Sequence, residues 1–442
     1  MLDPSDCGPA TIAMSQDVQG ESFDYPEVFF EEKVHEIRRV HPDPSQINQA
    51  VEKIKNSKQP IIISGGGVLY SEAEQELSKF AKKHNIPVTS TVMGIGCMTK
   101  DDPYYISAVG ALGEGSSNSL SKDTDLALAI GTKLADFTTG SWANFENPNF
   151  KLVSVNTARY DTTKHLATPV ISDAKVGLQK ISEALGDWKA PDDWYKRAIK
   201  EKNEWDAYVE KQSGPTNQEE PSYAHAVGAV YRNSDPSDIV VTAAGGLVGE
   251  VVQVWKPKQL NTFETEWGFS CMGYEISGAL GIKMAKPDQD VVVFVGDGSY
   301  LLNNTDIYSS VIYDQKLIII VCDNGGHMVI NRLQLAKGGK EYICNLRAAR
   351  ATNLKFVDFE NHAKSMGANA ETVSSTSELE AAYKRAKDSD KTYVITIKTH
   401  GYEWLEGTAF WESPTLQDPI TDNNKNALED FESGKSKQRK GV

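Results

Sequence analysis

The sequence predicts an α/β protein: two parallel-sheet domains, each with helices on both faces of its sheet. Three observations predict it. Short, strongly apolar runs recur along the chain and alternate with segments whose apolar residues fall at helical spacing, the pattern of strands joined by crossover helices. Most of those runs end in glycine or another turn former, as strands do before a helical crossover. At 442 residues the chain is also too long for a single core.

In chain order, residues 1–30 hold one strand-like fragment within GPATIAMSQDVQ, then polar residues and FDYPEVFF. One strand is too little for a domain, and this stretch reads as the end of one. Residues 31–185 form the first unit. SQINQAVEKIKNSKQ predicts a helix, PIIISGGG a strand running into a turn, SEAEQELSKFAKKHN an amphipathic helix, and IPVTST, TDLALAIGTKL and KLVSVNT further strands. The glycines Gly65-Gly66-Gly67 raise the question of a dinucleotide site. Tyr70 stands where the third glycine of Gly-x-Gly-x-x-Gly would be, so a close-packed strand-to-helix turn is the preferred reading. Residues 186–222 are polar, contain three prolines and carry the charged helix DDWYKRAIKEKNEWDAYVEKQ, which makes them a helical linker.

The second unit spans 223–412. SYAHAVGAVYRN, YEISGALGIKMAK, NNTDIYSSVIYD and STSELEAAYKRAKD predict helices, and DIVVTAAGG, DVVVFVGDG, KLIIIVCDN and TYVITIKT predict strands. Residues 413–442 are a charged tail, expected to be mobile.

Composition narrows the class. The chain is 40% hydrophobic and 24% charged with a net charge of −15 and a pI near 5.1, which argues against nucleic acid or an anionic membrane as partner. Its five cysteines are scattered, with no Cys-x-x-Cys, so neither a disulfide framework nor a zinc site is expected. The N-terminus lacks the pattern of a signal peptide, and no apolar run reaches the roughly 20 residues that span a bilayer. A cytoplasmic protein is expected.

Two strand ends carry the chemistry: VFVGDG and IIIVCDNGG. Alone, Gly-Asp-Gly is good turn chemistry. In a parallel sheet, however, both C-terminal ends lie on one edge, so Asp297 and Asn324 converge there. A carboxylate, an amide oxygen and a nearby carbonyl form a hard-oxygen set suited to Mg²⁺ or Ca²⁺. Gly298, Gly325 and Gly326 would let the backbone approach an anion closely, and the following helix presents free N–H groups. The physical reading is a diphosphate–Mg²⁺ site.

Gly-Asp-Gly followed at this separation by a strand ending in Asp323-Asn324 resembles the signature of thiamine diphosphate (ThDP) enzymes. The resemblance implies ThDP and Mg²⁺ as cofactors. Asp297 and Asn324 would ligate the metal through their side chains and Gly326 through its carbonyl. Gly298 and Ser299 would hold diphosphate oxygens, with Gly246 and Leu247 of TAAGGLVGE contacting the same group. In GFSCMGYEISGALG, Met272 would be the apolar wedge between the cofactor rings, and the Ser270 carbonyl would accept from the aminopyrimidine. At an isolated position Met272 would read better as a core methionine, but in this context the wedge is the preferred reading.

Further stretches, among them DFTTGSW, GDGSYLLNNTDI and INRLQLAKGGKEYICNLR, resemble the trihydroxycyclohexane-dione hydrolase branch of this family over most of residues 1–412. That implies a hydrolase of myo-inositol degradation opening a cyclic 1,2-dione to 5-deoxy-glucuronic acid, with ThDP as electron sink. The sequence departs from the branch at His327-Met328, where a glycine–aromatic pair is expected. His327 is therefore a candidate to face the substrate.

The family has three domains: pyrimidine-binding, central and diphosphate-binding. The resemblance makes 1–30 the remnant of the first, 31–185 the Rossmann-like central domain and 223–412 the ThDP diphosphate- and Mg-binding domain. The family's activating glutamate belongs to the pyrimidine domain and has no counterpart here. The expectation is a truncated product or, failing that, a separate pyrimidine-domain chain as partner, in a homo-oligomer acting on a small molecule. The alternatives are an acetolactate synthase-like carboligase or 2-oxoacid decarboxylase, and a non-catalytic cofactor-binding or assembly subunit.

Overall fold

The computed structural model describes residues 1–351 and 353–439. Twelve strands build two six-stranded sheets, and every strand pairing in them is parallel. The first sheet contains β1 (Pro60–Ser64), β2 (Val88–Ser90), β3 (Tyr105–Ala108), β4 (Leu126–Ile130), β5 (Lys151–Asn156) and β6 (Thr168–Ile171) in the order β3-β2-β1-β4-β5-β6. The second contains β7 (Ile239–Thr242), β8 (Phe263–Thr265), β9 (Val291–Gly296), β10 (Ile318–Asp323), β11 (Asn369–Val373) and β12 (Tyr393–Lys398) in the order β11-β12-β10-β9-β7-β8.

Central strands are apolar on both faces because helices cover both. Every residue of β1 and β4 is buried, as are Val291–Val295 of β9 and Ile318–Cys322 of β10. The helices begin where the sequence supplies caps. Asp43 accepts from the Ser45 N–H ahead of Pro44–Lys55, Asp173 caps Ala174–Leu185, and Ser222 and His225 form a capping box for Tyr223–Asn233.

In each sheet the strand order reverses at a central crevice, between β1 and β4 in the first and between β7 and β9 in the second. Open parallel sheets bind ligands at such a crevice. The first crevice is filled by backbone. A Cβ added at Gly65 would lie 2.6 Å from the Thr132 Cβ, and one at Gly67 would lie 2.6 Å from the Gly131 Cα. The glycine run is thus a close-packed strand-to-helix turn. The second crevice carries the candidate site.

The two units touch along several bonds. Lys256 pairs with the buried Glu114, Asn118 Nδ2 donates to the Gly407 carbonyl (2.7 Å), and the Ala409 N–H donates to the Gly110 carbonyl (3.1 Å). Two expectations change. Residues 1–30 hold no strand but a short helix, Gln16–Gln19, and none of their large apolar side chains is buried; the segment has no neighbouring strand to pair with. The charged tail, expected to be mobile, contains the helix Asp422–Ser436, anchored by buried Phe431, while Gln438 Nε2 donates to the Ser141 carbonyl (3.0 Å). No helix among the described residues is long and apolar enough to cross a membrane.

Candidate functional site

β9 and β10 are neighbours in register, with Gly296 opposite Cys322. Asp297 and Asn324 therefore leave adjacent strand ends together. Asp297 opens the helix Asp297–Leu302, and its Oδ2 accepts from the Gly326 N–H at 2.7 Å. Burial, and then the neighbouring charge of Asp323, push its carboxyl up to about 7. Asp323 Oδ1 accepts from the Gly325 N–H (3.0 Å).

Asn324 is 4% exposed. Its Nδ2 donates to the Tyr223 hydroxyl at 2.6 Å, whereas its Oδ1 is buried with no hydrogen-bond partner. A buried acceptor without a donor is costly. Together with two carboxylates within mutual electrostatic reach, it marks a position that calls for a cation. Among the described residues no group of three His, Cys, Asp or Glu side chains could hold a metal. The oxygens at this position belong instead to a carboxylate and an amide, hard donors of the kind Mg²⁺ or Ca²⁺ takes rather than zinc.

The turn after Asn324 needs its glycines. Gly325 and Gly326 have φ of +80° and +139°, and a Cβ at Gly326 would run into the Cys344 carbonyl. The same turn is held by the His327 N–H, which donates to the Cys344 carbonyl (2.8 Å), and by the Leu346 N–H, which donates to Gly325 (2.9 Å).

Gly298, Met272 and His327 come together. A Cβ at Gly298 would lie 2.6 Å from His327 Cε1 and 3.4 Å from Met272 Cε. Met272 is 37% exposed, so it is no core methionine. Its loop is held by Glu266, which accepts from the N–H groups of Phe269 (2.8 Å) and Cys271 (2.7 Å). Ser270 has φ +54° and donates its Oγ to the Ala243 carbonyl (3.2 Å). Across the crevice, Gly246 begins the helix Leu247–Val254. The Leu247 side chain is in the core, so only its backbone can meet a ligand. Ser299 is buried at the start of the β9 helix.

Three neighbours went unread in the sequence. Tyr223 orients Asn324 from a helix a hundred residues upstream. Trp404, on the segment after β12, packs so closely on Gly246 that a Cβ there would run into its ring; it meets Tyr223 edge-on at 5.6 Å. Glu275, 1% exposed, accepts from the N–H groups of Ala244 (3.2 Å) and Gly273 (2.8 Å). Burial pushes its carboxyl up, and those donors together with the Ser299 side chain pull it back. The one acid in the first two turns of YEISGALGIKMA was the available signal for it.

Residues 47–181 match the profile of the thiamine pyrophosphate enzyme central domain, and residues 243–397 that of the thiamine pyrophosphate enzyme C-terminal TPP binding domain. The chain is 34% identical over 447 residues to the 3D-(3,5/4)-trihydroxycyclohexane-1,2-dione hydrolase of Geobacillus thermodenitrificans, covering 92% of this chain and 69% of that one. The enzyme of that name from Clostridium tetani is 35% identical with the same coverage, and that from Lacticaseibacillus casei is 32% identical over 98% of this chain and 71% of its own. With both domain profiles matched and relatives of that name 32–35% identical over most of this chain and 69–71% of their own length, the chain belongs to the 3D-(3,5/4)-trihydroxycyclohexane-1,2-dione hydrolase family of thiamine pyrophosphate enzymes.

Proposed function

We propose that this chain acts in the ThDP- and Mg²⁺-dependent hydrolytic cleavage of a ring C–C bond in trihydroxycyclohexane-1,2-dione, yielding 5-deoxy-glucuronic acid in inositol degradation. The observation that carries the reading is the buried, unpartnered Asn324 Oδ1 beside Asp297 on adjacent strand ends, in a chain whose relatives bear that enzyme name. Asp297, Asn324 and the Gly326 carbonyl would hold Mg²⁺. Gly298, Ser299 and the backbone of Gly246 and Leu247 would receive the diphosphate. Met272 and the Ser270 carbonyl would support the rings.

Bound there, ThDP supplies a carbon nucleophile and an electron sink for breaking a bond next to a carbonyl. His327, exposed above Gly298, would face the substrate and exchange a proton with it at a ring nitrogen. No described residue is assigned the family's activating glutamate. The reading places it on a pyrimidine-binding domain that completes the site, in a cytoplasmic homo-oligomer or with a second chain. Residues 31–185 and 223–412 are read as the central and diphosphate-binding units, and 186–222 as their linker.

The test is a calorimetric titration of ThDP with and without Mg²⁺, then assay of the loaded protein with the cyclic dione and with pyruvate. Expected are Mg²⁺-dependent uptake, its loss in Asp297→Ala, and release of the open-chain acid once a pyrimidine-binding domain completes the site. Turnover of pyruvate with none of the dione overturns the reading, and unchanged uptake in Asp297→Ala removes that residue from the metal shell.

A further inference from the structure

We infer that Glu275 is a positioning residue: its buried carboxylate clamps together the two turns on which the cofactor's opposite ends are proposed to rest, an inference that depends on the ThDP reading. One oxygen, Oε1, takes the Ala244 N–H (3.2 Å), two residues before Gly246; the other, Oε2, takes the Gly273 N–H (2.8 Å), directly after Met272. The first turn follows β7, and the second opens the helix Tyr274–Ala285 with Gly273 at φ +94°.

No backbone–backbone hydrogen bond joins these two turns among the described residues; side chains do so, the Glu275 carboxylate with two bonds and Ser270 Oγ with one, to the Ala243 carbonyl. Around the carboxylate the helix is otherwise apolar or small, with Ile276, Ala279 and Gly278 next along it. An apolar residue would fill that space at less desolvation cost. Two backbone donors converge on the carboxylate from different segments, and an ionised carboxylate is the side chain that accepts on both oxygens. The bonds also use up Ala244 and Gly273 as donors. A diphosphate in the crevice must therefore be met by N–H groups other than these two.

Glutamine has the same shape but presents one acceptor and one donor, so in Glu275→Gln its amide N–H₂ would oppose one of the two backbone N–H groups. A side chain that only fills space would tolerate this change. The clamp predicts that in the ligand-free full chain, hydrogen exchange read on peptides covering 243–247 and 270–274 becomes about tenfold faster in E275Q, while the centre of β9 keeps its protection; ThDP affinity at saturating Mg²⁺ falls by roughly tenfold. Glu275→Asp keeps the charge but is one methylene shorter, and is expected to loosen at least one turn. Unchanged exchange in both variants, or loosened turns with unchanged ThDP affinity, overturns the inference. A wild-type chain that takes up no ThDP overturns the cofactor reading instead, and the exchange comparison then judges the clamp alone.

Discussion

Replacing Tyr223 by Phe removes one oxygen from the wall of the candidate metal site and keeps the ring that packs edge-on against Trp404. That oxygen is the one partner of the Asn324 Nδ2, at 2.6 Å, and both residues are 4% exposed. Without it a buried donor is stranded, at a cost of about 1–3 kcal/mol. Two outcomes share that energy. If the amide stays in place, the whole cost appears as lost stability. If it turns so that Nδ2 faces the cation position, binding must turn it back, and the cost appears as a Mg²⁺ affinity roughly five- to 150-fold weaker. Calorimetric titration of Mg²⁺ at saturating ThDP, alongside denaturant unfolding, reads both. The two losses should sum to the cost of one stranded donor. A Tyr223→Phe protein with wild-type stability and wild-type Mg²⁺ affinity would refute the claim that this hydroxyl orients Asn324.

Two further predictions concern burial and packing. Burial holds the Glu250 carboxyl up to about 7 from the usual 4.5. The native state keeps this proton where the unfolded chain has lost it, so the group costs stability as pH rises from about 4.5 to about 7, by up to about 3 kcal/mol. Glu250→Gln should therefore gain stability relative to wild type between pH 4 and pH 8, read by unfolding at both; an equal difference at the two pH values contradicts the shift. Gly65→Ala drives a Cβ against the Gly131–Thr132 turn and should cost about 1–3 kcal/mol in denaturant unfolding with ThDP uptake unchanged. Unaltered stability would mean that the first crevice is not closed by backbone packing.

The sequence by itself determined the eight inner strands, because strands buried on both faces are written as unbroken apolar runs such as IIIS, LALAI, VVVFV and IIIVC. It missed β3, β6, β8 and β11, which are the four sheet edges. YISA, TPVI, FET and NAETV are short, mixed in polarity and paired on one side only, so their strand character comes from the neighbour. The pair Asp297 and Asn324, proposed to face the metal, was legible for a related reason: each ends an apolar run, and parallel pairing puts both ends on one edge. What holds that pair in position was not legible. Tyr223 reaches Asn324 across 101 positions, Glu275 ties two turns on separate segments, and Trp404 returns from beyond the last strand to cover Gly246. Local composition records burial and turn chemistry. Which polar atom meets which partner depends on how the crossovers stack, and only the tertiary structure decides that.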